Sequence, residues 1–312
     1  MIFRNTPMQE ILSTLHEALA KQTSISFEVL DPDEGAGYTG NRRRIGSEVY
    51  RYRGYKAWTD LAELLGCQMM TPRPSDYPLV RLTFRRLAED SFHQEQSPIH
   101  EERYGTASAF FEIEKMEEPA FFYYYDQALT QVNLSQRHRI LNLGINRGDE
   151  FEVLEKRLSP EAYRTLELVG VDHSQSAIAY AKRRFPTTNV QLYAEDINQL
   201  ASLELGRFDL LISIGTLQSR SIHFKPFLMS LVQEYLTEDS ALILGFPNSR
   251  WIGGEMIYGA KAPNYAMSEM SLLYNDVMFA KKYLQQHKYR VMLTGKQYIF
   301  LSAVKIGQSS KK

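Results

Sequence analysis

Between Ile140 and Thr216 the chain alternates apolar runs and helical intervals in one order: strand, polar turn, helix, strand, helix, strand, strand, with acids closing the second and third strands. Arg139 to Leu143 is an apolar strand that runs directly into a turn carrying Gly144 and Gly148 and then into a helix. A ligand at that turn would rest on backbone at the strand's carboxyl end. Leu168-Val-Gly-Val-Asp172 closes a second strand on a carboxylate, roughly 20 residues beyond the turn, the separation at which a doubly wound fold sets an acid against a ribose. The strand ending in Glu195-Asp196-Ile197 and the strand from Phe208 to Thr216 complete the layout of a nucleotide-binding α/β half-domain.

Other nucleotide sites fit less well. No Gly-x-x-x-x-Gly-Lys-Ser/Thr occurs, and the Gly144 to Gly148 spacing does not supply the Gly-x-Gly-x-x-Gly that brings backbone against a pyrophosphate. Beyond the fourth strand, Phe227 to Leu236 has helical apolar spacing and residues 240–246 form a short buried strand. Leu272 to His287 fits another helix. Arg290 to Val304 reads as two strands around Thr294-Gly295-Lys296, a hairpin signal.

Gly144 and Gly148 after strand one, Asp172 after strand two, Asp196 after strand three and Phe208-Asp-Leu-Leu-Ile-Ser213 as strand four resemble the class I, Rossmann-like methyltransferases that use S-adenosyl-L-methionine. The resemblance covers about residues 120–306. It implies a mostly parallel, seven-stranded, doubly wound sheet ending in an antiparallel hairpin, with an α+β amino-terminal domain left unexplained. It also implies that the glycine turn meets the methionine portion, Asp172 the ribose hydroxyls and Asp196 the adenine amine. His173, Ile197 and Ser213 flank these positions and join the expected cofactor set. Two positions depart from the family pattern: Asn142 replaces the usual acid and Asn146 a second glycine. Asparagine tolerates left-handed backbone better than other residues with a side chain, so Asn146 can make the same turn.

The division expected from the sequence is an amino-terminal recognition domain over 1–99, connecting or lid helices over 100–129, the methyltransferase domain over 130–306 and a tail over 307–312. In the first part, Met8 to Ala20 and Lys56 to Leu65 read as helices, and Ser24 to Leu30 and Tyr77 to Leu87 as strands. The linker is expected at Ala88 to Ile99. Pro119 to Leu129 reads as a helix with proline in its first turn, carrying Phe121, Phe122, Tyr123, Tyr124 and Tyr125; helices so placed in the family lid the cofactor cleft. A formal net charge of −1 gives no global pull toward nucleic acid or membrane. The single cysteine, Cys67, excludes an intramolecular disulfide and a cysteine-based metal cluster, and its apolar setting reads as packing. No metal is expected, the chain reads as cytoplasmic, and the oligomeric state is left open.

Local charge is less neutral. Between Asn41 and Arg86 ten basic residues face four acids, and Tyr50, Tyr52, Tyr55 and Trp58 interleave with them. Arg42, Arg43, Arg44, Arg51 and Arg53 are the expected substrate contacts, because arginine forks on phosphate beside aromatic faces suit single-stranded RNA; a solvated basic face is the plainer reading.

In-line displacement at a methyl group asks chiefly for positioning and desolvation. Groups that serve it must lie after strands four and five. Asn248, Glu255 and Tyr258 are the catalytic candidates, Arg250 and Trp251 the substrate contacts there, and Gln218 stands where many small-molecule members carry His. The resulting expectation is a methyltransferase acting on RNA, tRNA foremost, with a small-molecule acceptor as the alternative. A catalytically silent cofactor- or RNA-binding module is the reading of a different class, suggested by Asn142 and the lack of a clear base.

Overall fold

The computed structural model describes residues 1–35, 37–88, 102, 104–259 and 270–307. The chain divides into two compact units, Met1–Asp90 with Ile252–Gly254, and Ser91–Trp251 with Glu255–Lys312. Past Ala88, the expected linker and the tail from Gln308 onward lie outside the described residues.

In the first unit the chain runs β1 (Ile2–Phe3), α1 (Met8–Leu19), β2 (Ser24–Leu30), β3 (Arg42–Ile45), β4 (Glu48–Arg51), α2 (Tyr55–Leu64), β5 (Cys67–Met69), β6 (Arg73–Pro74) and β7 (Leu79–Arg86). The sheet order is β1-β2-β7-β5, with β6 also on β7. Alternate residues make its inner face: Ile25, Phe27 and Val29 lie opposite Phe84, Leu82 and Val80. Ile11, Leu15 and Leu19 of α1 recur every fourth residue and close over that face, with Trp58 and Leu61 of α2 and Cys67 in the same core. The basic stretch holds a hairpin that periodicity alone does not reveal: β3 pairs antiparallel with β4 across the two-residue turn Gly46-Ser47.

The first α-helix of the second unit is α3 (Pro119–Gln131), whose proline sits in the first turn. It continues through β8 (Arg139–Leu143), α4 (Asp149–Arg157), α5 (Pro160–Arg164), β9 (Glu167–Asp172), α6 (Gln175–Arg184), β10 (Val190–Ala194), β11 (Phe208–Ile214), α7 (Phe224–Glu234), β12 (Leu236–Pro247), β13 (Ser249–Ile252), β14 (Glu255–Tyr258), α8 (Met270–Gln286), β15 (Tyr289–Gly295) and β16 (Tyr298–Lys305). The seven-stranded sheet has the order β10-β9-β8-β11-β12-β16-β15, so the expected doubly wound sheet with a terminal antiparallel hairpin is the observed one. Successive residues of a strand face different cores. Ile140, Leu210, Ile212 and Ile243 join α3 and α4 on one side, while Leu141, Leu143, Leu211 and Leu242 join α7 and α8 on the other. Burial on both faces is why these strands read as unbroken apolar runs. β12 starts four residues before the expected 240, because Leu236 already pairs with Phe208 before a register shift brings Ala241 opposite Leu210. Strand order reverses between β8 and β11, the switch point at which open α/β sheets bind ligands.

Candidate active site

A cavity of about 740 Å³ opens at that switch point, all of it within the second unit. Its floor is made by Gly144 to Arg147 after β8, Asp172 and His173 after β9, Ala194 to Ile197 after β10, and Ile214 to Thr216 after β11. Tyr104, Phe110, Ile113, Lys115 and Met116 form a roof, and Ser249, Arg250 and Trp251 one wall.

The floor depends on glycine at one position. Gly144 has φ +77°, and a Cβ there would lie 2.7 Å from Thr216 Cγ2, so backbone alone faces the cavity. Gly144→Ala is expected to lower the melting temperature and weaken ligand binding by more than about tenfold, since a left-handed Ala costs about 1–2 kcal/mol before the overlap is relieved. Unchanged calorimetric affinity in that variant would remove the turn from the site. Asn146 takes φ +44°, as a residue replacing glycine must. Its amide nitrogen then does what glycine cannot, donating 2.8 Å to the Tyr104 carbonyl and tying the roof to the floor. Arg147 adds a second tie, donating to Phe111 O at 3.1 Å and pairing with Glu114 at 2.6 Å. Thus the roof is the segment from Tyr104 to Glu117. The aromatic helix α3 contributes no lining residue: Phe121 and Tyr125 are buried against Phe300, and Phe122 and Tyr123 are exposed.

Asp172 is 5% exposed and accepts backbone N–H groups with both oxygens, from Asn146 at 2.9 Å and from Ser174 at 3.0 Å. Burial pushes its carboxyl up, against the downward pull of those two donors. His173 stands beside it, Nδ1 3.7 Å from Oδ1, and meets Tyr104 edge to face. One oxygen of Asp196, Oδ1, takes both the Asn198 N–H at 2.9 Å and the Asn198 side-chain amide at 3.0 Å. Ile197 beside it is buried and lines the cavity.

Two groups that the sequence does not single out also line the cavity. Glu150, in the first turn of α4, is pushed up to about 7 by burial and then by the adjacent Asp149 carboxylate, against the pull of Lys115. Desolvation pulls the Lys115 ammonium down, but the Tyr298 hydroxyl and the carboxylates of Glu150 and Asp149 outweigh it and hold the group above its ordinary value. Two amides are buried beside the cavity: Asn142, at 1% exposure beneath Glu150, bears on that carboxyl as a donor, and Gln218 Oε1, at 3% on the cavity wall, has no partner among the described residues.

The other expected residues are distributed as follows. Ser213 donates to the Leu143 carbonyl at 3.1 Å inside the sheet, and Gly148 packs on the Phe185 ring at the start of α4; neither lines the cavity. Arg250 and Trp251 line it. Asn248 lies just outside, 5% exposed, donating to Lys296 O at 2.9 Å and so fixing the β15–β16 turn. Glu255 and Tyr258 are on β14, away from the lining, and Glu255 is close enough to raise the carboxyl of Glu118, whose main perturbation is burial. In the first unit Arg53 is buried, donates to the Thr6 carbonyl at 2.6 Å and lies over Trp58, and burial pulls its guanidinium down to about 10. Arg43 is bonded to the Glu34 carbonyl. Arg42 and Arg51 stand directly opposite each other on the hairpin, and Arg42, Arg44 and Arg51 have no carboxylate within 4 Å among the described residues. No described helix is long and apolar enough to cross a membrane.

The residues present fit an adenosine-bearing ligand: the cradle at Gly144 admits no side chain, and acids that suit hydroxyl and amine donors stand at the ends of β9 and β10. Compared with known families, residues 134–296 match the family described as "Methyltransferase domain". Among solved structures, the plantazolicin methyltransferase BpumL with a monoazolic analogue and SAH is 13% identical, with a TM-score of 0.41 over 62% of this chain and 88% of that one. A ribosomal protein L11 methylase from Lactobacillus delbrueckii subsp. bulgaricus is 13% identical (TM-score 0.37, 58% and 77% covered). A SAM-dependent methyltransferase from Aquifex aeolicus is 14% identical (TM-score 0.38, 58% and 89% covered). No curated protein sequence matches.

Proposed function

This chain belongs to the methyltransferase-domain family and is an S-adenosylmethionine-dependent methyltransferase, and from that premise we propose how its residues hold the cofactor and which acceptor it serves. The observation that carries the reading is the convergence of the Gly144 turn, Asp172 and Asp196 on one cavity at the sheet's switch point. Asp172 takes the ribose hydroxyls with the lone pairs its two backbone donors leave free. Asp196 offers its second oxygen to the adenine amine, with Ile197 and His173 against the ring. Bound there, the cofactor supplies an electrophilic methyl group on a sulfonium centre.

The chain's own part is then positioning and exclusion of water. Tyr104, Phe110 and Met116 cover the cavity, which strengthens every charge interaction beneath them. Gln218 Oε1, buried and without a protein partner among the described residues, accepts an N–H or O–H of the acceptor and aims its nucleophile. Glu255, Tyr258 and Asn248, being off the lining, leave such alignment to Gln218 and to the Arg250–Trp251 wall.

For the acceptor we favour RNA. Like charges directly opposite on paired strands repel, so the Arg42–Arg51 pair, with Arg44 beside it and no carboxylate near, suits a polyanion. Arg53 and Arg43 serve the fold of their unit and drop out of that set. Purified protein is expected to retain RNA at low salt, and Arg42→Ala with Arg44→Ala to flatten the slope of log affinity against log salt by about 0.7 for each phosphate no longer neutralised. Identical slopes for wild type and the double variant would sink the RNA reading. A small-molecule acceptor is the second reading, supported by the rings of Phe110, Trp251 and Tyr298 that line the cavity. Labelled methyl transfer into RNA and into metabolite fractions separates the two.

A further inference from the structure

We propose that Lys115 and Glu150 form a clasp for a zwitterionic α-amino acid group, Lys115 taking its carboxylate and Glu150 its ammonium, so that this pair binds the amino-acid end of the cofactor. The proposal rests on the cofactor reading above and adds to it charged partners for the methionine portion, which the glycine turn meets with backbone alone.

The two groups come from opposite sides of the cavity. Lys115 hangs from the roof, its ammonium 4.9 Å from the Phe110 ring centroid and 5.8 Å from that of Tyr298. Glu150 stands on the floor in the first turn of α4. Each biases the other's charge, yet neither has an opposite charge within 4 Å among the described residues. Their neighbours are otherwise committed: Arg147 pairs with Glu114 and Asp149, and Asp149 also with Arg184. A cation and an anion thus face one cavity across a gap, and two unlike charges on one ligand carbon fill such a gap with two charge-assisted hydrogen bonds.

Asn142 explains why the anion comes from the helix. A carboxylate at position 142 would add a third acid beside Glu150 and Asp149, whereas the buried Asn142 amide lies beneath Glu150 and, as a donor toward it, pulls that carboxyl down. The charge absent from the end of β8 is supplied by Glu150 from α4. Its position near neutrality marks a carboxylate held without a full counter-charge, the state a ligand ammonium would relieve.

The test compares two ligands that share the adenosine and the thioether: S-adenosylhomocysteine, which has the amino-acid end, and 5′-methylthioadenosine, which lacks it. Calorimetric titration at pH 8 of wild type, Lys115→Met, Lys115→Arg and Glu150→Gln, each with its thermal melt, reads the outcome. Lys115→Met and Glu150→Gln are expected to weaken S-adenosylhomocysteine by about tenfold or more while changing methylthioadenosine by less than about twofold, and Lys115→Arg to retain the preference. If both ligands weaken equally, or neither does, in variants that melt cooperatively, the clasp is wrong and the cofactor site stands. Wild type that binds neither ligand would overturn the cofactor reading and the clasp together.

Discussion

Asp172→Ala is expected to abolish measurable cofactor binding, weakening it by at least about a hundredfold, and to cost the free protein about 2–4 kcal/mol of stability. The two losses have different origins. In the free protein the carboxylate satisfies the N–H of Asn146 in the glycine turn and the N–H of Ser174 at the start of α6. Removing it leaves one buried and one part-buried donor unpaired, each worth about 1–3 kcal/mol, offset in part by relief of the carboxylate's own burial. In the complex, on the proposed reading, it also accepts the ribose hydroxyls as charge-assisted bonds. Asp172→Asn separates the effects: one amide oxygen remains, the turn keeps part of its support, and affinity still falls because the charge is gone. Calorimetry with S-adenosylhomocysteine beside urea denaturation measures both quantities, and a stable Asp172→Ala protein with wild-type affinity would move the ribose site elsewhere.

Glu150→Gln is expected to have effects of opposite sign on the free protein and on the complex. The folded-state carboxyl is pushed up to about 7 from an ordinary value of 4.5, by burial first and by Asp149 second. Between those values the unfolded chain has released the proton and the native chain still holds it, so stability falls as pH rises through that window. Above about pH 7 the native state carries the full cost of an ionised, poorly partnered acid. Glutamine removes that cost. The free Glu150→Gln protein should therefore melt several degrees higher than wild type at pH 8, with the gap closing by about pH 5. With saturating S-adenosylhomocysteine the order should narrow or invert, because the wild-type carboxylate then has its ammonium partner. Equal melting temperatures for the free proteins at pH 8 would mean that Glu150 is solvated well enough to ionise at its ordinary value.

The sheet could be read from the sequence because its strands are buried on both faces and so are short apolar runs between turns, as at Arg139 to Leu143 and Phe208 to Ile214. The β3–β4 hairpin was hidden for the opposite reason: Arg42, Arg44 and Glu48 are exposed and only Tyr50 is fully buried, so two four-residue strands carry too few apolar side chains for their alternation to show. The start of β12 escaped because Thr237, Glu238 and Asp239 precede the register shift. In the cavity, Asp172 and Asp196 stand at strand ends, which local sequence order locates. Lys115 and Glu150 are separated by 35 positions, one on a single 3-10 turn and one on an α-helix. Their meeting depends on tertiary ties such as Asn146 to Tyr104 and Arg147 to Phe111, and no periodicity records those. Asn142, where the family pattern has an acid, is the one departure in the sequence that lies beside them.

The position of β16 sets the timing of folding during synthesis. It leaves the ribosome after both of its neighbours, yet it lies between them in the sheet, with β12 on one side and β15 on the other. Until residue 305 has emerged, the twelve-residue strand β12 presents an unpaired apolar edge, the kind of edge that recruits foreign strands. Nascent chains arrested before Tyr298 should accordingly associate with chaperones or with one another, and release of the β15–β16 hairpin is the event that pairs the β12 edge.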